Sequence, residues 1–141
     1  MPRHDLFHDN VRNALIKEGW TITHDPLTIP FGGDNVYIDL GAEQPLGAER
    51  NGQKIAVEIK SFRNPSAISD LQSALGQYRL YRFALLRYEA ERLCVLAIPS
   101  VAYENLFQYT DLRDLMEAEQ VNLMVFHPER EEVTLWIPIL T

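Results

Sequence analysis

Cysteine is almost absent: Cys94 stands alone among 141 residues, which excludes an intrachain disulfide and a zinc site built from several thiolates. Long apolar runs are missing too. No stretch approaches the roughly 20 residues needed to cross a bilayer, and Met1-Pro2-Arg3-His4-Asp5 offers no signal-peptide core. Gly32-Gly33 is not followed by the pattern of a Walker or Rossmann phosphate loop, and His4, His8, His24 and His127 show no metal-ligand spacing. Positive charge is scarce. The net charge is −7, and its distribution is uneven: residues 1–100 hold eleven Lys/Arg against twelve Asp/Glu, whereas residues 101–141 hold two against eight. A nucleic-acid surface therefore fits only the first two thirds of the chain. The expectation is a soluble, cytoplasmic protein with no membrane association.

What is present is an ordinary globular balance, 46% hydrophobic and 23% charged, at a length that suits one domain over residues 1–141. Phe7 to Glu18 reads as a helix, with Val11, Ala14 and Leu15 as its apolar stripe and Gly19 as its stop. Trp20–Thr23 and Val36–Leu40 read as strands, separated by the Asp25-Pro26 turn and the Gly32–Asn35 turn. Gly41 to Gly52 reads as a polar connection before a third strand, Ile55–Lys60. Asn64-Pro65 suits a helix entry, with Asn as cap. The helix that follows, about Ser66 to Arg87, should turn Ile68, Leu71, Leu75, Tyr78, Arg82 and Leu85 inward. Leu93–Ile98 is a continuous apolar strand, expected to be buried on both faces. Ser100 can cap a short helix to about Phe107, and a second runs from Leu112 to Glu119. Val121–Phe126 and Val133–Ile137 close the chain as strands. The fold class is α/β, with a mixed central sheet flanked by helices in the order αβββαβ, plus C-terminal helices and two strands.

The informative segment is Ile55-Ala56-Val57-Glu58-Ile59-Lys60. Side chains alternate along a strand, so Glu58 and Lys60 share a face in a run that is otherwise apolar. Buried charge without a partner is costly, so this pair is either a strand-end ion pair reaching water or part of a site. Asp39 repeats the pattern at the end of Val36-Tyr37-Ile38, unless it only forms the turn before Gly41. On neighbouring strands Asp39 and Glu58 approach closely, and two such carboxylates must share a proton or hold a cation. Hard oxygen donors with open positions suit Mg²⁺ or Mn²⁺. Lys60 then orients the nucleophile or neutralises charge growing on a phosphate.

Asp39 followed by Glu58-Ile59-Lys60 resembles the D…ExK signature of the PD-(D/E)xK nuclease superfamily, and the helix–three strands–helix–strand order resembles its core. Gln77-Tyr78-Arg79-Leu80-Tyr81 resembles the Q-x-x-x-Y motif of RecB-like members, with Gln77 and Tyr81 on one helical face. The resemblance implies a restriction-endonuclease-like domain. Asp39, Glu58, Lys60 and Gln77 are its implied catalytic residues, Asp39 and Glu58 its ligands for Mg²⁺ or Mn²⁺, and Tyr81 lies near the nucleic-acid backbone. Two departures stand out: Ile38 replaces the proline of the name, and the connection to Glu58 is long and carries Glu43, Glu49 and Arg50, whose two carboxylates either join the site or, as expected, face water. An acidic residue of the first helix often joins such sites; Glu18 and Asp9 are the candidates, and His8 is an accessory candidate or a helix-surface histidine.

Over nearly the whole chain the sequence is similar to the XisH family of cyanobacterial proteins. The likeness is strongest through His8–Pro26, Tyr37–Glu43, Ile55–Phe62 and Ala74–Tyr78. It implies a controlling factor for excision of the fdxN element, a DNA segment removed by site-specific recombination during heterocyst differentiation. The implied partners are DNA, the recombinase machinery and an XisI-like companion. Three functions stay open at this point: a Mg²⁺-dependent DNA endonuclease, a catalytically inactive nuclease-fold regulator acting through XisI, and a small homodimer whose interface uses Trp136, Phe126 or Tyr109. The acidic Glu129, Glu131 and Glu132 face either a basic partner or solvent. Cys94, inside an apolar strand, reads as structural.

Overall fold

The computed structural model describes residues 6–44 and 52–138. Four helices and eight strands follow one another as α1 (His8–Lys17), β1 (Thr21–His24), β2 (Leu27–Phe31), β3 (Asp34–Ile38), β4 (Leu40–Gln44), β5 (Gln53–Ile59), α2 (Ala67–Tyr88), β6 (Arg92–Pro99), α3 (Ser100–Leu106), α4 (Thr110–Ala118), β7 (Leu123–His127) and β8 (Glu132–Ile137). Six strands form one mixed sheet in the order β1-β4-β5-β6-β7-β8, while β2 and β3 pair separately. The central strands β5, β6 and β7 are parallel; the outer pairs are antiparallel. Among the described residues no helix is long and apolar enough to cross a membrane.

The α/β class and the mixed sheet match expectation, but five strands precede α2 where three were expected. Leu27–Phe31, which follows the Asp25-Pro26 turn and carries Pro30, is a strand that the sequence reading does not include. In a two-stranded ribbon Pro30 loses little, and Leu27 and Ile29 alternate into the core with exposed Thr28 and Pro30 between them. Gly32 and Gly33 both have positive φ, the requirement of a two-residue hairpin turn, and Phe31 pairs with Asp34 across it. The apolar run Val36–Leu40 is not one strand: it breaks at Asp39, with β3 on one side and β4 on the other. Residues 41–44, expected as connection, complete β4. Gly41 is needed there, since a Cβ would lie 3.0 Å from His24 Nδ1 and 3.3 Å from Arg92 Nη1. Glu49 and Arg50 lie outside the described residues.

The sheet separates two cores. Ile55, Val57 and Ile59 of β5 join Val11 and Leu15 of α1 on one face; Ala56 joins Leu71, Tyr78 and Leu85 of α2 on the other. The inward side of α2 is Leu71, Ala74, Tyr78, Tyr81, Ala84 and Leu85. Ile68, expected inside, is 55% exposed, and Arg82 sits at the flank, donating to the Glu119 carbonyl at 2.7 Å. The cap of α2 is Ser66, whose Oγ accepts from Ser69 N; Asn64 instead accepts from Ser66 N. Ser100 likewise starts α3 without capping it. Burial on both faces of β6 holds from Cys94 onward, but Leu93 is half exposed.

Tyr78 ties α2 to the sheet. Its hydroxyl donates to the Cys94 carbonyl and accepts from Asn122 N, both at 3.0 Å. Burial pushes its phenol up to about 12. Tyr78→Phe leaves the Asn122 N–H without that acceptor and is expected to cost about 1–3 kcal/mol, read as a lower urea midpoint at unchanged slope.

Candidate functional site

Asp39 stands where the chain leaves the β2–β3 ribbon and enters the main sheet, between Ile38 and Leu40, both fully buried. Those two anchors fix the backbone on either side of the carboxylate. Leu40 pairs with Val57, which brings Asp39 beside the C-terminal end of β5. Ile59 N–H donates to Asp39 Oδ2 at 2.7 Å, and Asp39 N–H makes a long bond of 3.4 Å to Glu58 Oε1. Lys60 Nζ lies 3.9 Å from Glu58 Oε2, and its backbone N–H is held by the Ala97 carbonyl at 2.9 Å. The two carboxylates and the ammonium, 21 positions apart at the extremes, therefore meet on one face of the sheet.

Glu58 is only 7% exposed. Burial raises its pKa most, the charge of Asp39 and a hydrogen bond between the two side chains add to this, and Lys60 opposes it only in part; the carboxyl is pushed up to about 9. At neutral pH the pair holds a proton between two acids. Tyr81 is nearly buried on the inward face of α2, and its phenol is raised by burial and by the charges of Glu58 and Asp39. Gln77 lies one turn earlier on α2, and its buried Oε1 has no hydrogen-bond partner among the described residues. Cys94, raised to about 12 by burial and by Glu58, is no nucleophile.

The structure does not bring the helix-1 candidates to this cluster. The inward residues of α1, Val11 and Leu15, pack on the opposite sheet face. Glu18 accepts from Trp136 Nε1 at 3.0 Å, Asp9 is exposed, and His8, expected at the surface, is buried with Nε2 2.6 Å from Asp25 Oδ1. Arg12 reaches the other Asp25 oxygen at 2.7 Å. A histidine three residues before an apolar stripe position gives no sign of this burial, because its partner lies beyond β1. Glu43 is engaged by Lys54 and Arg92 at 3.9 and 3.8 Å. Glu131 accepts from Asn10 and Asn13 of α1, so part of the acidic C-terminal cluster is used internally. Of the aromatic interface candidates, Phe126 is fully buried, Trp136 stacks near Trp20 at 5.9 Å, and Tyr109 is exposed.

Two clefts open nearby. One, of about 540 Å³, lies between α3, α4 and the β7–β8 pair. The other, of about 600 Å³, lies beyond the C-terminal ends of β5, β6 and β7. Neither is lined by Asp39, Glu58 or Lys60. Among the described residues no three His, Cys, Asp or Glu side chains gather as a metal-ligand group.

The family described as XisH protein matches residues 1–134. An XisH family protein from Nostoc punctiforme PCC 73102 is 43% identical, with a TM-score of 0.83 over 94% of this chain and 98% of that one. An fdxN element excision controlling factor protein from Anabaena variabilis is 44% identical, with a TM-score of 0.84 over 95% and 99%. No curated protein matches. The sequence and the fold agree across essentially the whole length, and the chain belongs to the XisH family.

Proposed function

We propose that this protein is an accessory factor for site-specific DNA excision, built on a PD-(D/E)xK-type nuclease core, with a divalent-cation centre at Asp39 and Glu58. The excision role rests on the likeness to the Anabaena variabilis controlling factor. The centre rests on one observation: a buried carboxyl, Glu58, linked by a hydrogen bond to the half-buried carboxyl of Asp39, with an ammonium 3.9 Å from Glu58. The donor set fits Mg²⁺ or Mn²⁺, which are held by one or two carboxylates together with waters and substrate phosphates. A cation bound there supplies Lewis-acid polarisation of a phosphodiester.

The chain's own residues do the rest. Ile59 N–H orients Asp39, and the burial of Ile38 and Leu40 fixes the backbone that carries it. Lys60 offers positive charge where a pentacoordinate phosphate gains negative charge. On the α2 side Gln77 is assigned to the catalytic residues and Tyr81, which feels the charges of Glu58 and Asp39, to the nucleic-acid backbone. A second reading, a catalytically inactive regulator working through an XisI-like companion or the recombinase, is favoured by the lack of a third acidic ligand among the described residues. Calorimetric titration with Mg²⁺ and Mn²⁺, joined to cleavage assays on supercoiled, single-stranded and branched DNA, tests the two. Binding with cleavage supports the nuclease reading. Binding without cleavage of any substrate supports the regulator, and no binding removes the centre.

A further inference from the structure

The cleft beyond the C-terminal ends of β5, β6 and β7 begins one residue after Lys60, and hydrogen-bond donors share its wall with apolar residues such as Phe62, Val101 and Leu106. Ser61, Arg63, Asn64, Ser100 and His127 line it, and Glu129 is the only acid among its lining residues. The Arg63 guanidinium is exposed and makes no hydrogen bond or ion pair with any described residue. Asn64 has its Oδ1 occupied by Ser66 N at 2.9 Å, which leaves its NH₂ to give. His127 Nδ1 accepts from Arg130 N at 3.1 Å, which leaves Nε2 as the ring's donor. The backbone also takes an unfavourable form here: Phe62 has φ of 55°, and its ring packs against the core on the α2 side. Positive φ in a bulky non-glycine residue stores strain. It turns the chain sharply between Lys60 and Arg63.

The geometry points to this cleft as a binding site for phosphate groups of a nucleic-acid strand, with Arg63 as its principal contact and Asn64 and His127 as supporting donors. This deepens the nuclease-core reading by adding a subsite for the strand outside the Asp39–Glu58 centre. Three residues of chain span at most about 11 Å, so Arg63 stands within about three phosphates of a group held at Lys60. A subsite at that distance positions the strand without taking part in chemistry, and it reads no base.

The test is fluorescence anisotropy of short labelled oligonucleotides, single- and double-stranded, over a salt series without divalent cation so that no cleavage intervenes. Arg63→Ala is compared with wild type and with Arg87→Ala, which removes an exposed arginine near the far end of α2. Arg63→Ala is expected to weaken binding about tenfold irrespective of sequence and to lower the salt slope by about 1. Arg87→Ala is expected to shift it less than about twofold. Equal effects of the two substitutions, or none from Arg63→Ala, overturn the subsite. An oligonucleotide that competes no better than inorganic phosphate overturns the nucleic-acid assignment. Cleavage is scored separately with Mg²⁺: loss of binding in Arg63→Ala from a wild type that never cleaves supports the subsite while removing the hydrolytic reading. Normal binding by Arg63→Ala beside active cleavage does the reverse.

Discussion

Asp39→Asn is expected to lower Mg²⁺-dependent cleavage of supercoiled DNA by at least about 100-fold while the melting temperature stays within about 2 °C of wild type. The asymmetry follows from what the carboxylate does in the fold. Its structural task is to accept the Ile59 N–H at 2.7 Å, and the Asn amide oxygen can take that bond at almost the same volume. Its other task is to bring negative charge to a cation, and the amide brings none. Asp39→Ala separates the two tasks further, because it strips the Ile59 N–H of its acceptor and should cost about 1–3 kcal/mol in addition to activity. Glu58→Gln should also abolish cleavage, with packing preserved at this buried position. Cleavage that survives Asp39→Asn removes Asp39 from the centre. If wild type never cleaves, calorimetry provides the readout: Asp39→Asn should then abolish Mg²⁺ binding while leaving association with a companion protein intact.

The proximity of Asp39, Glu58 and Lys60 was legible in the sequence because its signal is local. An acid at each of two strand ends and a lysine two residues on are visible from alternation alone, and the structure brings Asp39, Glu58 and Lys60 together. The inward face of α2 was half legible. Leu71, Tyr78 and Leu85 follow helical spacing, but Ile68 fits the same spacing and lies outside, with Arg82 half-buried at the flank, since only the position of the sheet decides which edge of the stripe is covered.

What escaped depends on contacts distant in sequence. Leu27–Phe31 looks broken by its prolines until a separate two-stranded ribbon gives them a place. His8 is three residues from Val11 and reads as the solvent end of a helix, but its ring is buried against Asp25, which Arg12 also holds. Glu18 was a site candidate because of its helix, and the sheet puts that helix on the other face. Arg92 had no visible role, but it is buried, donating to the Ile55 carbonyl at 2.9 Å and to Glu89 at 3.0 Å. Such residues are placed by topology, and one chain's composition does not encode which strands become neighbours.

The metal-free protein should lose stability as pH rises from about 5 to 9, and a saturating divalent cation should cancel that loss. The sign follows from proton counting. Glu58 has an ordinary carboxyl pKa in the unfolded chain and one raised to about 9 in the fold. Below the unfolded value both states are protonated and the group contributes no slope. Between the two values the folded state binds the extra proton, so each added pH unit removes on the order of 1 kcal/mol, until the effect levels off above the folded value. Glu58→Gln cannot titrate and should flatten this part of the profile, which thermal or urea unfolding at several pH values will show. Mg²⁺ requires the deprotonated pair, so its binding releases a proton and its affinity should climb by up to about tenfold per pH unit over the same window. The stabilisation it gives should accordingly be larger at pH about 8.5 than at pH about 6. A profile that keeps its slope in Glu58→Gln assigns the pH dependence to other groups. A Mg²⁺ affinity that does not change with pH means the cation binds away from the proton shared by Asp39 and Glu58.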